Sequence, residues 1–213
     1  EWSPPPYRKH YSNENFKLDK PFVVISNRFN FEHGEPPLGF FDIPCLYEMF
    51  NYLTEKGYSV IYKRPNNTEF PLDHNEMLVS QSGMELNSKV EGIGIINDFQ
   101  LTEYYDDVYL LDDLMKKYPD NSYNELQLKL FSNSEGFISM AGGSGIFCSY
   151  FEVPNITYIT TSGETRDNYF NDRCYYRKLS DADIYPVLDK EEDIKKRGKR
   201  DYSLLFKYMK EIF

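Results

Sequence analysis

The feature that most constrains this chain is a strand–helix–strand pattern completed in fewer than fifty residues. Residues 21–27, PFVVISN, form a short apolar, β-branched run and are expected to make a buried strand. Asp42 suits the N-cap of a following helix, and Pro44 is tolerated in its first turn. Ile43, Leu46, Phe50 and Leu53 fall on one face of that helix, and Gly57 ends it. Residues 58–65, YSVIYKRP, supply the next strand. Two strands joined through a helix run parallel, and the crossover is expected to be right-handed.

Further along, the pattern recurs less evenly. Residues 66–90 are polar and could hold a short helix, 92–98 (GIGIIND) could form a short strand, and 107–114 (DVYLLDDL) read as a strand running into a turn or short helix. Ser122 and Glu125, at capping-box spacing, open a helix carrying Tyr123, Leu126 and Leu130. GFISMAG then reads as a strand, GSGIFCSYFE as a helix and ITYITT (156–161) as another strand. Asp189 and Glu192 repeat the capping-box spacing. A last helix places Tyr202, Leu205, Phe206, Met209, Ile212 and Phe213 at helical intervals. Residues 1–20 are Pro-rich and polar, an arm or linker, and 21–213 are expected to form one domain. The alternation predicts an α/β class, a Rossmann-like α/β/α sandwich on a mostly parallel sheet. In such sheets ligands bind beyond the carboxyl ends of the strands, which singles out loops 27–41, 64–75, 96–106, 141–145 and 160–170.

With 213 residues, 40 % hydrophobic and 17 % aromatic, the chain can bury a core. Its net charge of −10 argues against a nucleic-acid partner, which calls for a basic face. No apolar run approaches the ~20 residues of a membrane span. The opening EWSPPPYRKHY has no signal-peptide core and no initiator Met, as expected of a piece of a longer protein. Cys45, Cys148 and Cys174 are odd in number and form no CxxC, against zinc and disulfide frameworks and in favour of a reducing, cytoplasmic setting. The sequons at Asn66 and Asn155 are attributed to chance.

Three loops carry candidate chemistry. Gly142, Gly143, Ser144 and Gly145 lie between a strand's carboxyl end and a helix start, where unpaired amides and the helix dipole favour an anion. Glycine lets a phosphate approach the main chain, and Ser144 can cap the helix and donate its hydroxyl; a turn that needs glycine only for packing is the competing account. The run is neither G-x-G-x-x-G nor a P-loop, and a nucleophile elbow at Ser144 lacks its second glycine because position 146 is Ile. After the first strand, Arg28 could grip a diphosphate with its planar fork, and Glu32 or His33 could take a proton from a hydroxyl. In residues 160–170, Thr161, Ser162 and Thr165 could donate to phosphates, Glu164 could bind ribose hydroxyls and Arg166 adds positive charge. DADI, with Asp181 and Asp183, matches the D-x-D by which some sugar transferases hold a divalent ion, but suits a turn better.

Together FVVISNRFNFEHGEPPLGFF, YNELQLKLFSNSEGFISMAGGSGIFCSYF and ITYIT resemble the nucleotide-sugar-binding half of GT-B-type glycosyltransferases. They are similar in particular to a group of transferases from bacteria, algae and large algal viruses. Those typically show Asn-Lys-aromatic…Glu-Trp…Pro after one strand and Phe-Ile-Ser-x-x-Gly-Gly-x-Ser later. Here the first motif is Asn27, Arg28, Phe29…Glu32, His33…Pro36, and the second is Phe137, Ile138, Ser139…Gly142, Gly143, Ser144. The likeness spans roughly residues 20–165. It implies a GT-B-like fold whose glycine turn faces the donor diphosphate, with the first loop across an inter-domain cleft. It also implies a hexosyl- or pentosyltransferase with a nucleotide-sugar donor, a UDP-sugar foremost, and a glycan acceptor. No cofactor or bound metal is expected. A GT-B enzyme has two Rossmann-like domains, so either another domain belongs to a longer parent chain or residues 66–106 and the arm build a reduced acceptor side.

Overall fold

A computed structural model describes residues 5–29, 37, 39–64, 84–160 and 182–213. A short helix α1 (Tyr7–Tyr11) and a 3₁₀ turn (Glu14–Phe16) precede β1 (Phe22–Ser26), α2 (Ile43–Glu55) and β2 (Ser59–Lys63). A hairpin of β3 (Asn87–Val90) and β4 (Gly94–Asn97) leads into α3 (Asp98–Thr102) and β5 (Val108–Leu110). Then come α4 (Leu111–Lys117), α5 (Tyr123–Phe131), β6 (Gly136–Met140), α6 (Gly143–Cys148) with a 3₁₀ turn (Ser149–Phe151), and β7 (Asn155–Ile159). The chain closes with β8 (Ile184–Leu188), α7 (Glu191–Arg197) and α8 (Ser203–Ile212).

Local chemistry sets several of these boundaries. The Cys45 amide donates to Asp42 Oδ1 at 3.0 Å, starting α2, and Gly57 at φ +87° turns the chain after it. The Glu125 amide donates to Ser122 Oγ, starting α5 as its spacing predicts. At α3 a full capping box joins Asn97 and Gln100. The box expected at Asp189 and Glu192 does not form, because the α7 N-cap is Lys190. The buried Asp189 carboxylate instead accepts from the Tyr158 hydroxyl, from Arg197 and from the Asp201 amide.

Six strands form one all-parallel sheet in the order β5-β2-β1-β6-β7-β8, while β3 and β4 pair antiparallel on their own. Numbered by sheet strand alone, the order is 3-2-1-4-5-6, that of a Rossmann-like α/β/α fold. The sequence pattern missed β3, at the end of the polar run 66–90, and also β8, whose run contains Pro186. As an edge strand paired through β7, it tolerates a residue without an N–H.

Strand alternation feeds two cores. Val23, Ile25, Val60, Tyr62, Ile138 and Met140 pack in one layer with α2, Leu101 of α3, and Leu205 and Met209 of α8. Phe22, Val24, Ile61 and Phe137 pack in the other with α4, α5 and Cys148 of α6. Burial on both faces explains why these strands are apolar throughout rather than alternating. Residues of the expected arm lie on the second layer: Phe16 is buried there and the Tyr7 ring meets Phe151 at 5.5 Å.

A buried polar chain crosses the first layer. Arg64 holds Asp98 through Nε and Nη2, with side chains 1 % and 0 % exposed, and the Tyr62 hydroxyl donates to the same carboxylate at 2.6 Å. Burial, seconded by Asp98, pushes the Tyr62 hydroxyl well above its usual pKa, keeping it a donor. Removing one partner strands a buried charge, which costs on the order of 3–5 kcal/mol. Asp98→Ala is therefore expected to lose about that much in urea unfolding, and Arg64→Ala/Asp98→Ala less than the sum of the two single changes. Strictly additive losses would contradict the pairing.

Candidate functional site

The sheet order reverses between β1 and β6, the position at which open parallel sheets form a ligand crevice because the loops leaving the two strands diverge. Arg28 follows β1 there, and the glycine turn follows β6. Arg28 is held from behind by Asn27, whose side chain uses its full hydrogen-bonding capacity. Its Nδ2 donates to the Phe41 carbonyl and to Tyr62 Oη, both at 3.0 Å. Its Oδ1 accepts from the Phe41 amide at 2.8 Å and the Arg28 amide at 2.9 Å. This clasps the chain after β1 against the segment entering α2.

The guanidinium of Arg28 then lies among glycines. Its Nε donates to the Gly39 carbonyl at 3.1 Å. A Cβ on Gly39 would sit 2.7 Å from Arg28 Nη2, and one on Gly142 would sit 3.1 Å from Nη1. Gly142 also adopts φ +107°, a conformation that side chains disfavour. The structure thus brings Arg28 and Gly142 together, two residues separated by most of the chain.

The remaining turn residues divide by role. A Cβ on Gly145 would meet the Met140 carbonyl at 2.8 Å, so this glycine lets α6 pack on the end of β6. Gly143 has no positive φ and nothing within 4 Å of its notional Cβ, and it is exposed. No internal steric cause calls for glycine here, unlike at Gly142 and Gly145. Ser144 does not cap α6 as expected: the N-cap is Gly142, with no side-chain cap bond. The first-turn amides of Gly143, Ser144 and Gly145 have no acceptor within the helix.

Further basic side chains lie at the same sheet edge, along with the carboxylates of Asp42 and Asp189. Arg200 stacks on the Phe40 ring at 3.6 Å, one residue from the Gly39 that Arg28 grips, and Phe40 meets Phe29 edge-on at 4.6 Å. Lys63, only 4 % exposed, pairs in register with Ser26 at the end of β1, and its Nζ lies 5.8 Å from the Tyr123 ring. Burial pushes the Cys148 thiol of α6 up to about 12, with Lys63 acting in the opposite direction. At the end of β7, Thr160 Oγ1 is buried without a hydrogen-bond partner among the described residues. It would lie 3.1 Å from a Cβ on Gly39.

Sequence reasoning picked out Arg28 and Gly142–Gly145 and missed Arg200, Gly39 and Thr160. Arg200 belongs to the charged run KKRGKR, whose pattern signals a solvated helix end, so nothing local marked it. Glu32, His33, Thr161, Ser162, Glu164, Thr165, Arg166 and Asp181 lie outside the described residues. Asp183 is described and exposed at the amino end of β8, where its carbonyl accepts from the Asn155 amide. The crevice opens at the opposite edge, a strand length of about 16 Å away. Comparison of the chain with protein-family models, curated proteins and solved structures finds no match.

Two outcomes test these assignments. Gly145→Ala is expected to cost about 1–3 kcal/mol in urea unfolding through its clash with Met140, whereas Gly143→Ala stays within about 1 kcal/mol of wild type. Equal losses would refute the division of roles. The Cys148 thiol ionises near its usual 9.0 when unfolded and only near about 12 when folded. Between those values the unfolded chain binds fewer protons, so this group's stabilisation falls as pH rises. Cys148→Ala should therefore lose less stability than wild type between about pH 8 and about pH 10; a parallel decline would contradict the shift.

Proposed function

We propose that this chain is a glycosyltransferase that takes a sugar from a nucleotide diphospho-sugar, foremost a UDP-sugar, and passes it to a hydroxyl of a glycan acceptor. The observation that carries the reading is the meeting of the Arg28 guanidinium with the Gly142–Gly145 turn at the point where the sheet order reverses. A diphosphate seated there would receive the first-turn amides of α6 on one side and the planar fork of Arg28 on the other. Gly143, open where its neighbours are not, allows that approach.

In the reaction the acceptor oxygen forms a bond to the anomeric carbon while the bond from that carbon to the diphosphate oxygen breaks. The electron pair leaves with the diphosphate, and pre-aimed amides and cations stabilise the growing charge. Arg28, with Arg200 and Lys63 at the same edge, supplies positive charge from the chain, so the reading requires no bound metal. Glu32, or else His33, takes the acceptor proton if the anomeric centre inverts. Thr161, Ser162 and Glu164 follow directly on Thr160 and are assigned to the nucleotide and ribose. The reading sets the chemistry in the cytoplasm, with further domains of a longer parent chain as a source of acceptor contacts.

A thermal-shift panel of UDP, GDP, ADP, CMP and their sugar conjugates tests the donor site. A ligand at a hundred times its dissociation constant should stabilise wild type by about 2.7 kcal/mol. Arg28→Gln and Gly143→Val should abolish that gain while leaving the ligand-free melting point near wild type. Undiminished binding by both variants would overturn the site. Turnover lost on adding EDTA would favour instead a metal-dependent transferase acting through Asp181 and Asp183, and donor binding with neither transfer nor hydrolysis would favour a non-catalytic binding module.

A further inference from the structure

A concavity whose described lining includes none of the candidate-site residues named above opens between α2, the β3–β4 hairpin and α8, with a volume of about 430 Å³. That size falls within the range of small-molecule sites. Buried Val90 and Met209 give part of its lining an apolar character. The half-buried rings of Tyr47 and Tyr52, which flank the buried stripe of α2 and pack against the core, also line it, and Lys56 Nζ lies 5.6 Å from the Tyr52 ring centroid. Tyrosine rings offer a flat apolar face beside a polar edge.

Its polar groups are mixed in kind. Asn51 lies between the two tyrosines in sequence, and its Oδ1 accepts from the Tyr105 hydroxyl at 2.8 Å. That bond orients the amide and leaves Nδ2 as the donor for a further partner. Glu48, Glu55 and Glu91 bring acceptors, and Lys89 and Lys210 bring donors. Three carboxylates oppose an anionic ligand, two ammonium groups oppose a cationic one, and a purely apolar ligand would leave both sets unused.

We propose that this pocket binds a neutral saccharide of one or two sugar rings. A pyranose presents a C–H face that stacks on a tyrosine ring, and its vicinal hydroxyls both donate to carboxylates and accept from amide and ammonium groups. The inference goes beyond the donor site and does not require the crevice to bind a nucleotide. If the transferase reading holds, the pocket gives a glycan acceptor or product an anchoring place outside the reaction centre.

The test is an amide-shift titration of the protein with cellobiose, maltose, lactose and chitobiose at millimolar concentration. At least one disaccharide should give saturable shifts confined to residues 44–55, the hairpin and the last helix. Tyr52→Ala should weaken that binding at least tenfold with the fold retained, and Glu48→Gln, altering an exposed carboxylate, should weaken it severalfold even if Tyr52→Ala fails to fold. Arg28→Gln should leave it unchanged, so that loss of nucleotide binding and loss of saccharide binding are read separately. No saturable shift with any of the four sugars, shifts mapping elsewhere, or wild-type affinity in Glu48→Gln would overturn the proposal.

Discussion

The rest of the crevice depends on the Asn27 side chain. Four hydrogen bonds from one buried amide tie the residue after β1 to the segment entering α2 and to the Tyr62 hydroxyl. Tyr62 passes the constraint to Asp98, and Asp98 to Arg64. A fully satisfied buried network of this kind is rigid, because each member lost would leave its neighbour unpaired in a medium that penalises it. The chain leaving β1 therefore has one exit, and Arg28 sits on it.

That fixed exit explains why glycine recurs at positions distant in sequence. Gly39 and Gly142 approach the same guanidinium from two loops, and a side chain on either would crowd it. The glycine-rich turn thus has more than one cause: backbone geometry and Arg28 at Gly142 and helix packing at Gly145, whereas Gly143 faces open space. The parallel order does the remaining work of placement. It carries the loops after β1 and β6 to the same edge with opposite onward directions, and brings Arg200 and Lys63 there along with the carboxylates of Asp42 and Asp189.

Much of the layer structure was legible locally. The β-branched runs at 21–27 and 58–65, the caps at Asp42 and Ser122 and the apolar stripe of α2 act within a few residues, so periodicity and capping chemistry reveal them. Strand β8 was hidden because Pro186 argues against a strand unless its edge position is known. The Asp189 spacing misled because a buried Tyr158 and Arg197, brought in by folding, compete for the carboxylate that would otherwise cap α7. Much of the candidate site lies in loops, where residue type suggests chemistry but no period fixes position.

By itself, the sequence determined the class of fold: alternating buried strands and amphipathic helices can satisfy their backbone groups and cover both sheet faces in few other ways. It also singled out Arg28 and the glycine turn as candidate positions. Only the tertiary structure decided that the two adjoin, that Gly39 and Arg200 join them, and that Asp183 stands at the far edge. Those relations are set by strand order and register, which depend on contacts between residues far apart in the chain and leave no local periodic trace.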